Sequence, residues 1–267
     1  MRSLRDIKLA ALTGLLVASV SINAYADVGG AGNACKGLPN HTQLKAALAS
    51  AVGADTSGLN LNMWATVVNR DGIVCAVAFS GTSRGDQWPG SRVISAQKAN
   101  TANAFSLNGL ALSTANLYSA VQGTSGATPL GGSLYGLQFS NPVDTTVAYS
   151  GNQALVGTPN DPMVGKRIGG VNVFGGGLAL YNSAKQVIGA VGLSGDTSCA
   201  DHNRAWLVRK NLGLDNLAGI AGVSGDAARP DNMIIDGING DSNNITDGFE
   251  QPSCLGTVTP TTLPAVK

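Results

Sequence analysis

Residues Asn172 to His202, NVFGGGLALYNSAKQVIGAVGLSGDTSCADH, constrain this chain more than any other stretch. Leu178 and Leu180, then Val187, Ala190, Val191 and Leu193, form two apolar runs with Asn182-Ser183-Ala184-Lys185 as turn chemistry between them. That pattern is a β-hairpin. Three consecutive glycines, Gly175 to Gly177, strip one strand end of side chains, so a backbone or a ligand can approach it closely. The second strand runs into a Gly-Asp loop and a helix that Asp196 to Ser198 can cap, and Asp201 and His202 fall in its first turns.

Upstream, His41 to Val52 carries Leu44, Ala47, Leu48 and Ala51 at helical spacing, with Asn40 or Thr42 as the cap. A second hairpin over 61–79 turns at Asp71-Gly72, and a polar loop containing Trp88-Pro89-Gly90 leads to an Ala/Asn/Ser-rich helix over 91–106. A short helix is expected at 113–121. From Gly123 to Lys166 the chain is mostly Gly, Ser, Asn, Pro and Thr, with room for one or two strands within 134–149. A loop of that length is usually functional or wraps a neighbour. The helix over 200–211 follows the second hairpin, then a possible strand over 232–235 and an end, 257–267, that reads as disordered. Gly189-Ala-Val-Gly-Leu-Ser-Gly-Asp recurs as Gly219-Ile-Ala-Gly-Val-Ser-Gly-Asp, which shared turn chemistry explains better than a structural repeat.

The strand with FGGG, the strand end GAVGLSG and the downstream Asp201-His202 resemble the GlcG/HbpS-like haem-binding family. MWATVVNRDGIVCAVAF, Met63 to Phe79, is similar to that family's first hairpin. SRVISAQKANTANAF, Ser91 to Phe105, is similar to its A-x-x-K-A-x-T-A helix, with Lys98 and Thr101 at the matching positions. The resemblance covers roughly residues 41 to 212, with 123–168 as an unmatched insertion. It implies one α+β domain over 27–256, an antiparallel sheet of about five strands with helices packed on it in a PAS- or profilin-like arrangement. It also implies that Cys35 pairs with Cys75 and Cys199 with Cys254, because the first helix would run antiparallel to the first strand. By residue type alone, four cysteines without a CxxC pair give no support to a redox dithiol or zinc ribbon and leave three pairings open.

The first 26 residues read as a signal peptide: Arg2, Arg5 and Lys8, an apolar Leu9 to Ile22, and Ala24-Tyr25-Ala26 before Asp27. The expected compartment is therefore periplasmic or extracellular, with no membrane association after cleavage. Without that segment the 17 Lys+Arg fall by three and the 16 Asp+Glu by one, a net charge of −1. Nucleic acid is excluded as a partner, since phosphate binding needs a clustered positive surface. Charged residues are only 12% of the chain, about half the usual ~25%. So sparse a set of charges suggests a surface buried in a homo-oligomer.

Enzyme templates mostly fail: G-x-S-x-G, the phosphate loop and G-x-G-x-x-G after a strand are all missing. Asp236, Asp241, Asn243, Asp247 and Glu250 break the calcium-loop pattern. With two histidines in the chain, His202 stands out as a haem-iron ligand, or else as a helix histidine bonded to its neighbours. His41, at a helix N-terminus, reads as a cap-region surface residue. Lys98, in a helix of small residues, either reaches solvent or meets an anion, with Arg92 and Arg84 able to join it against haem carboxylates. The glycines 175–177 would give a flat ligand a bare wall and Phe174, Phe105 and Tyr181 could flank it, although such rings are more often core. The resulting expectation is an exported haem- or tetrapyrrole-binding protein for capture, storage or redox sensing. Its rivals are an enzyme transforming a small molecule in the same cleft and a non-catalytic oligomeric binding module.

Overall fold

Both apolar hairpins form, and they share one sheet. The computed structural model describes residues 32–123, 132–235, 248–254 and 262–267. Helix α1 (His41–Ala54) leads into β1 (Trp64–Asn69) and β2 (Val74–Phe79), and α2 (Ser91–Phe105) follows. Next come the two-residue β3 (Leu110–Ala111) and the single turns α3 (Tyr118–Val121), α4 (Leu137–Ser140) and α5 (Thr145–Ala148). The second hairpin is β4 (Gly177–Tyr181) and β5 (Val187–Ser194), then α6 (Ser198–Asn211) and the short strands β6 (Ala221–Gly222), β7 (Ile234–Ile235) and β8 (Glu250–Gln251).

The sheet is antiparallel in the order β2-β1-β5-β4. It has four strands rather than about five, because the remaining extended pieces pair separately as β3/β6 and β7/β8. Helices cover both faces. Ala65, Val67, Leu178, Leu180, Val191 and Leu193 pack under α1 and α6, while Trp64, Val68, Val77 and Ala190 pack under Val93, Ala96, Ala99 and Ala102 of α2. Strands buried on both sides explain why β1 and β4 lack polar alternation; the polar Thr66 of β1 is satisfied by a hydrogen bond with Ser95 Oγ.

Local chemistry sets the element ends. Asn40 and Gln43 form a reciprocal capping box on α1, and the Thr197 side chain caps α6 by accepting from Ala200 N. Asn69 Oδ1 accepts from the N–H groups of Asp71 and Ile73 in the first hairpin turn, where Gly72 takes φ 74°. The sequence echo is not structural, since its first copy lies in β5 and its second in a two-residue strand.

The insertion packs against its own chain. Gly165 N donates to Val74 O, and Val74 N to Lys166 O, so it lines the outer edge of β2. Its residues 134–149 hold α4 and α5 instead of strands, because the Asp144 carboxylate accepts from Thr146 N and Val147 N and starts a helical turn. The chain end also departs from expectation. Within 262–267, Leu263 is buried, Trp206 Nε1 donates to Pro264 O at 2.9 Å, and Lys267 N donates to Asp215 O at 3.0 Å. A low-complexity approach had concealed one apolar anchor and a run of backbone donors. The signal segment, the acidic residues 236–247 and the stretch 255–261 lie outside the described residues.

Both implied disulfides are present, Cys35–Cys75 with Cα atoms 5.5 Å apart and Cys199–Cys254 at 5.9 Å. They close loops of 40 and 55 residues, each stabilising by about 4 kcal/mol in the chain-entropy estimate. Replacing Cys35 and Cys75 together by Ser should lower the unfolding free energy by about that amount in urea titrations. An unchanged midpoint would show that the unfolded chain gains little freedom from losing the link.

Candidate functional site

The glycine-rich strand end, Lys98, Asp201 and His202 do converge, and the close approach of α2 to the sheet brings them together. A Cβ on Gly192 would fall within 2.5 Å of Ser95 O and Ala99 N, and one on Gly177 within 2.5 Å of Lys98 O. The helix backbone therefore rests directly on β5 and β4, and only glycine permits that contact. This drives Lys98 through the layer toward α6, where its Nζ meets Asp201 Oδ2 at 2.6 Å with both side chains buried. Asp201 Oδ1 accepts a second hydrogen bond from Asp196 N at 2.8 Å. Burial raises the Asp201 carboxyl, to about 6, against the opposing pull of Lys98. Paired in this way, the lysine is spent inside the protein.

His202 lies deeper still. It is fully buried, lies tilted against Trp206 with centroids 6.0 Å apart, and its Nε2 accepts from Met233 N and faces Asn232 Oδ1, both at 3.2 Å. Its Nδ1 has no hydrogen-bond partner among the described residues. Burial lowers its pKa to about 4, with the Asp231 carboxylate opposing and Arg209 assisting, so the imidazole is neutral at pH 7. Arg209 is itself buried in a two-pronged pair with Asp231, at 2.5 and 2.9 Å, and lies over the Trp206 ring at 4.5 Å. The segment 231–235 thus forms a floor beneath α6, and the Cys199–Cys254 link and Gln251 hold the neighbouring strand in place.

The other expected residues lie apart. Arg92 is buried on the far end of α2, with Nε donating to Asp161 Oδ2 at 2.9 Å, a second bond to the same carboxylate, and Nη1 donating to Ala148 O at 3.0 Å. It anchors the insertion. Phe174 is half exposed, 6.3 Å from the Tyr118 ring, while Phe105 is partly buried and Tyr181 fully so. His41, expected at the surface, is partly buried and its Nε2 lies 3.0 Å from Gly157 O of the insertion. Asp161 carried no legible signal, because an isolated residue in Gly/Pro/Asn-rich sequence shows no periodicity, while the strand expected over 232–235 forms as β7 and its place beneath α6 was not legible.

A family model, described as haem degrading protein HbpS-like, matches residues 40–208. The chain belongs to this HbpS-like family. The match stops inside α6, so Arg209, the Asp231–Ile235 floor and Cys254 all lie beyond it. A search of curated proteins finds no match. Among solved structures, the Klebsiella pneumoniae protein ORFY of the DUF336 family is similar at 26% identity, covering 66% of this chain and 90% of that one, with a TM-score of 0.42. A PduOC:haem complex is similar at 23% identity, covering 64% and 89%, with a TM-score of 0.41.

Haem is the cofactor that HbpS-like membership supports. The His202 cluster offers it a neutral imidazole but no space. A single Cβ on Gly175 would come within 3.0 Å of Ser198 O, His202 Cβ and Met233 Cε, and one on Gly177 within 2.5 Å of Thr114 Cγ2. The glycines face protein, where a macrocycle was expected to rest, so this cluster does not fit haem in the described conformation.

Two measurements check this structural reading. Lys98→Met should cost about 3–5 kcal/mol of stability, because it leaves the Asp201 carboxylate buried and unpaired. The double variant Lys98→Met/Asp201→Asn should recover much of that loss in urea titrations at pH 7. For His202, the unfolded imidazole titrates near 6.5 and the folded one at about 4. Between those values the unfolded chain binds more protons, so this group's contribution is fully present above 6.5 and is lost as pH falls toward 4, by about 3 kcal/mol in all. The unfolding free-energy difference between the wild type and His202→Gln should change with that slope, since Asp201 titrates in both. A difference that is flat from pH 7 to 4 would refute it.

Proposed function

We propose that the protein is an exported haem-binding protein that captures or stores haem rather than transforming a substrate in its core. The observation that carries the haem reading is the HbpS-like match over residues 40–208. Export is supported by the basic and apolar start of the chain and by two disulfides, which persist in oxidising compartments. No helix of the described residues is long and apolar enough to cross a membrane. Among those residues, no group of three or more His, Cys, Asp or Glu could hold a free metal ion. The Lys98–Asp201 pair and His202 act as structural ties in this reading, and haem binds outside them. The low share of charged residues and exposed aromatics such as Phe139 and Tyr135 favour self-association of the exported form.

Haemin titrated into the mature protein should give a saturable Soret band. The His202→Ala variant, assayed where circular dichroism confirms that it is folded, should give a band at the same wavelength. Failure of the wild type to shift the haemin spectrum would end the haem reading. A displaced band in the folded His202 variant would return His202 to the role of iron ligand.

A further inference from the structure

We infer that the porphyrin is held in a cleft that the insertion builds against the end of the first hairpin, with Arg84 pairing one of its carboxylates; this rests on the haem reading above. The cleft has a volume of about 350 Å³ and is open on one side. Its inner wall is Trp64 and Phe79, stacked with centroids 4.4 Å apart and 15° between planes. The insertion supplies the opposite wall with Tyr149 and Val156, and the loop before α2 supplies Arg84 at the rim.

The chemistry of this lining is that of a site for a flat, aromatic anion. Trp64 is more than nine-tenths buried, so little of its indole is open to the cleft and Phe79, Tyr149 and Val156 supply most of the apolar contact. Tyr149 is 56% exposed although it lines the cleft, so a ligand can cover it.

Charge singles out Arg84. Arg92 also lines the cleft, but Asp161 and Ala148 O occupy its guanidinium. Asp86, the nearest acid in the loop, accepts from the backbone N–H groups of Thr82 and Ser83 and from both hydroxyls, and these bonds hold its carboxyl well below the usual range. Arg84 has no acid partner among the described residues and stands exposed at the rim. Arginine pairs a carboxylate through two parallel N–H groups, and the ring walls take the apolar body. A volume near the lower end of the ~300–1,000 Å³ range of ligand pockets admits one edge of a porphyrin and leaves the rest toward solvent.

The test uses the full mature protein, haemin, and haemin dimethyl ester, whose carboxylates are blocked. Binding is read by quenching of tryptophan fluorescence and by the Soret change. Haemin should bind the wild type about tenfold more tightly than the ester does, and Arg84→Glu should weaken haemin about tenfold or more with little effect on the ester. Tyr149→Ala should weaken both ligands, and Arg167→Ala, outside the cleft, neither. If haemin binds the wild type but Arg84→Glu and Tyr149→Ala bind it equally well, the seat lies elsewhere and this inference falls while the haem reading stands. If the wild type binds no haemin, both fall. Equal affinity for haemin and its ester would also overturn the role of Arg84.

Discussion

The contact between the α2 backbone and the glycines of β4 and β5 is the constraint on which the rest of this structure depends. Gly177 and Gly192 leave no side chain where Ser95, Lys98 and Ala99 come down on the sheet. A side chain there would push the helix outward by the thickness of a methyl group, and cores at native density transmit such a shift. With the helix this close, Lys98 passes beside Gly176 and reaches Asp201 on α6. One ion pair thus joins the helix on one face of the sheet to the helix on the other.

Buried charge is the second organising feature. Among the described residues four pairs are deeply enclosed: Arg92–Asp161, Lys98–Asp201, Arg204–Asp196 and Arg209–Asp231. Lys98–Asp201 ties α2 to α6, and the other three join a helix to a segment without strong propensity of its own: the insertion, the loop before α6, or the floor under it. Such pairs add little net stability over apolar packing, but removing one partner is costly, so they act as locks on position. They also change the meaning of a composition poor in charge. Several of the few charges are spent inside the protein, and scarcity at the surface is sharper than the sequence count suggests.

Much of the candidate site was legible, although its purpose was not. The convergence of Gly175–177, Lys98, Asp201 and His202 could be anticipated because strand end, helix start and small-residue helix carry the motifs that resemble the HbpS-like family, and the resemblance implies their packing together. Whether the glycines face a ligand or another part of the chain has no local signature. Met233 and Thr114 decide it, and they arrive from segments distant in sequence. The Trp64–Phe79–Arg84 cleft was equally hidden. Its rings lie at the two ends of a hairpin, paired across the strands, and its outer wall comes from an insertion without periodicity.

What the sequence determined by itself were the elements whose hydrogen bonds and burial are settled by near neighbours: two hairpins, three long helices, their caps and turns, and family membership through the motifs they carry. What only the tertiary structure decided was the fate of polar residues and of the irregular segments. The sheet has four strands because the remaining extended pieces pair with each other. Residues 134–149 became helical turns because Asp144 caps one. The chain end docks because Leu263 and Pro264 find α6. The physical reason is common to all three. Periodicity records which face an element buries, whereas a buried charge, a capped turn or a docked tail depends on a partner far along the chain that only folding brings near.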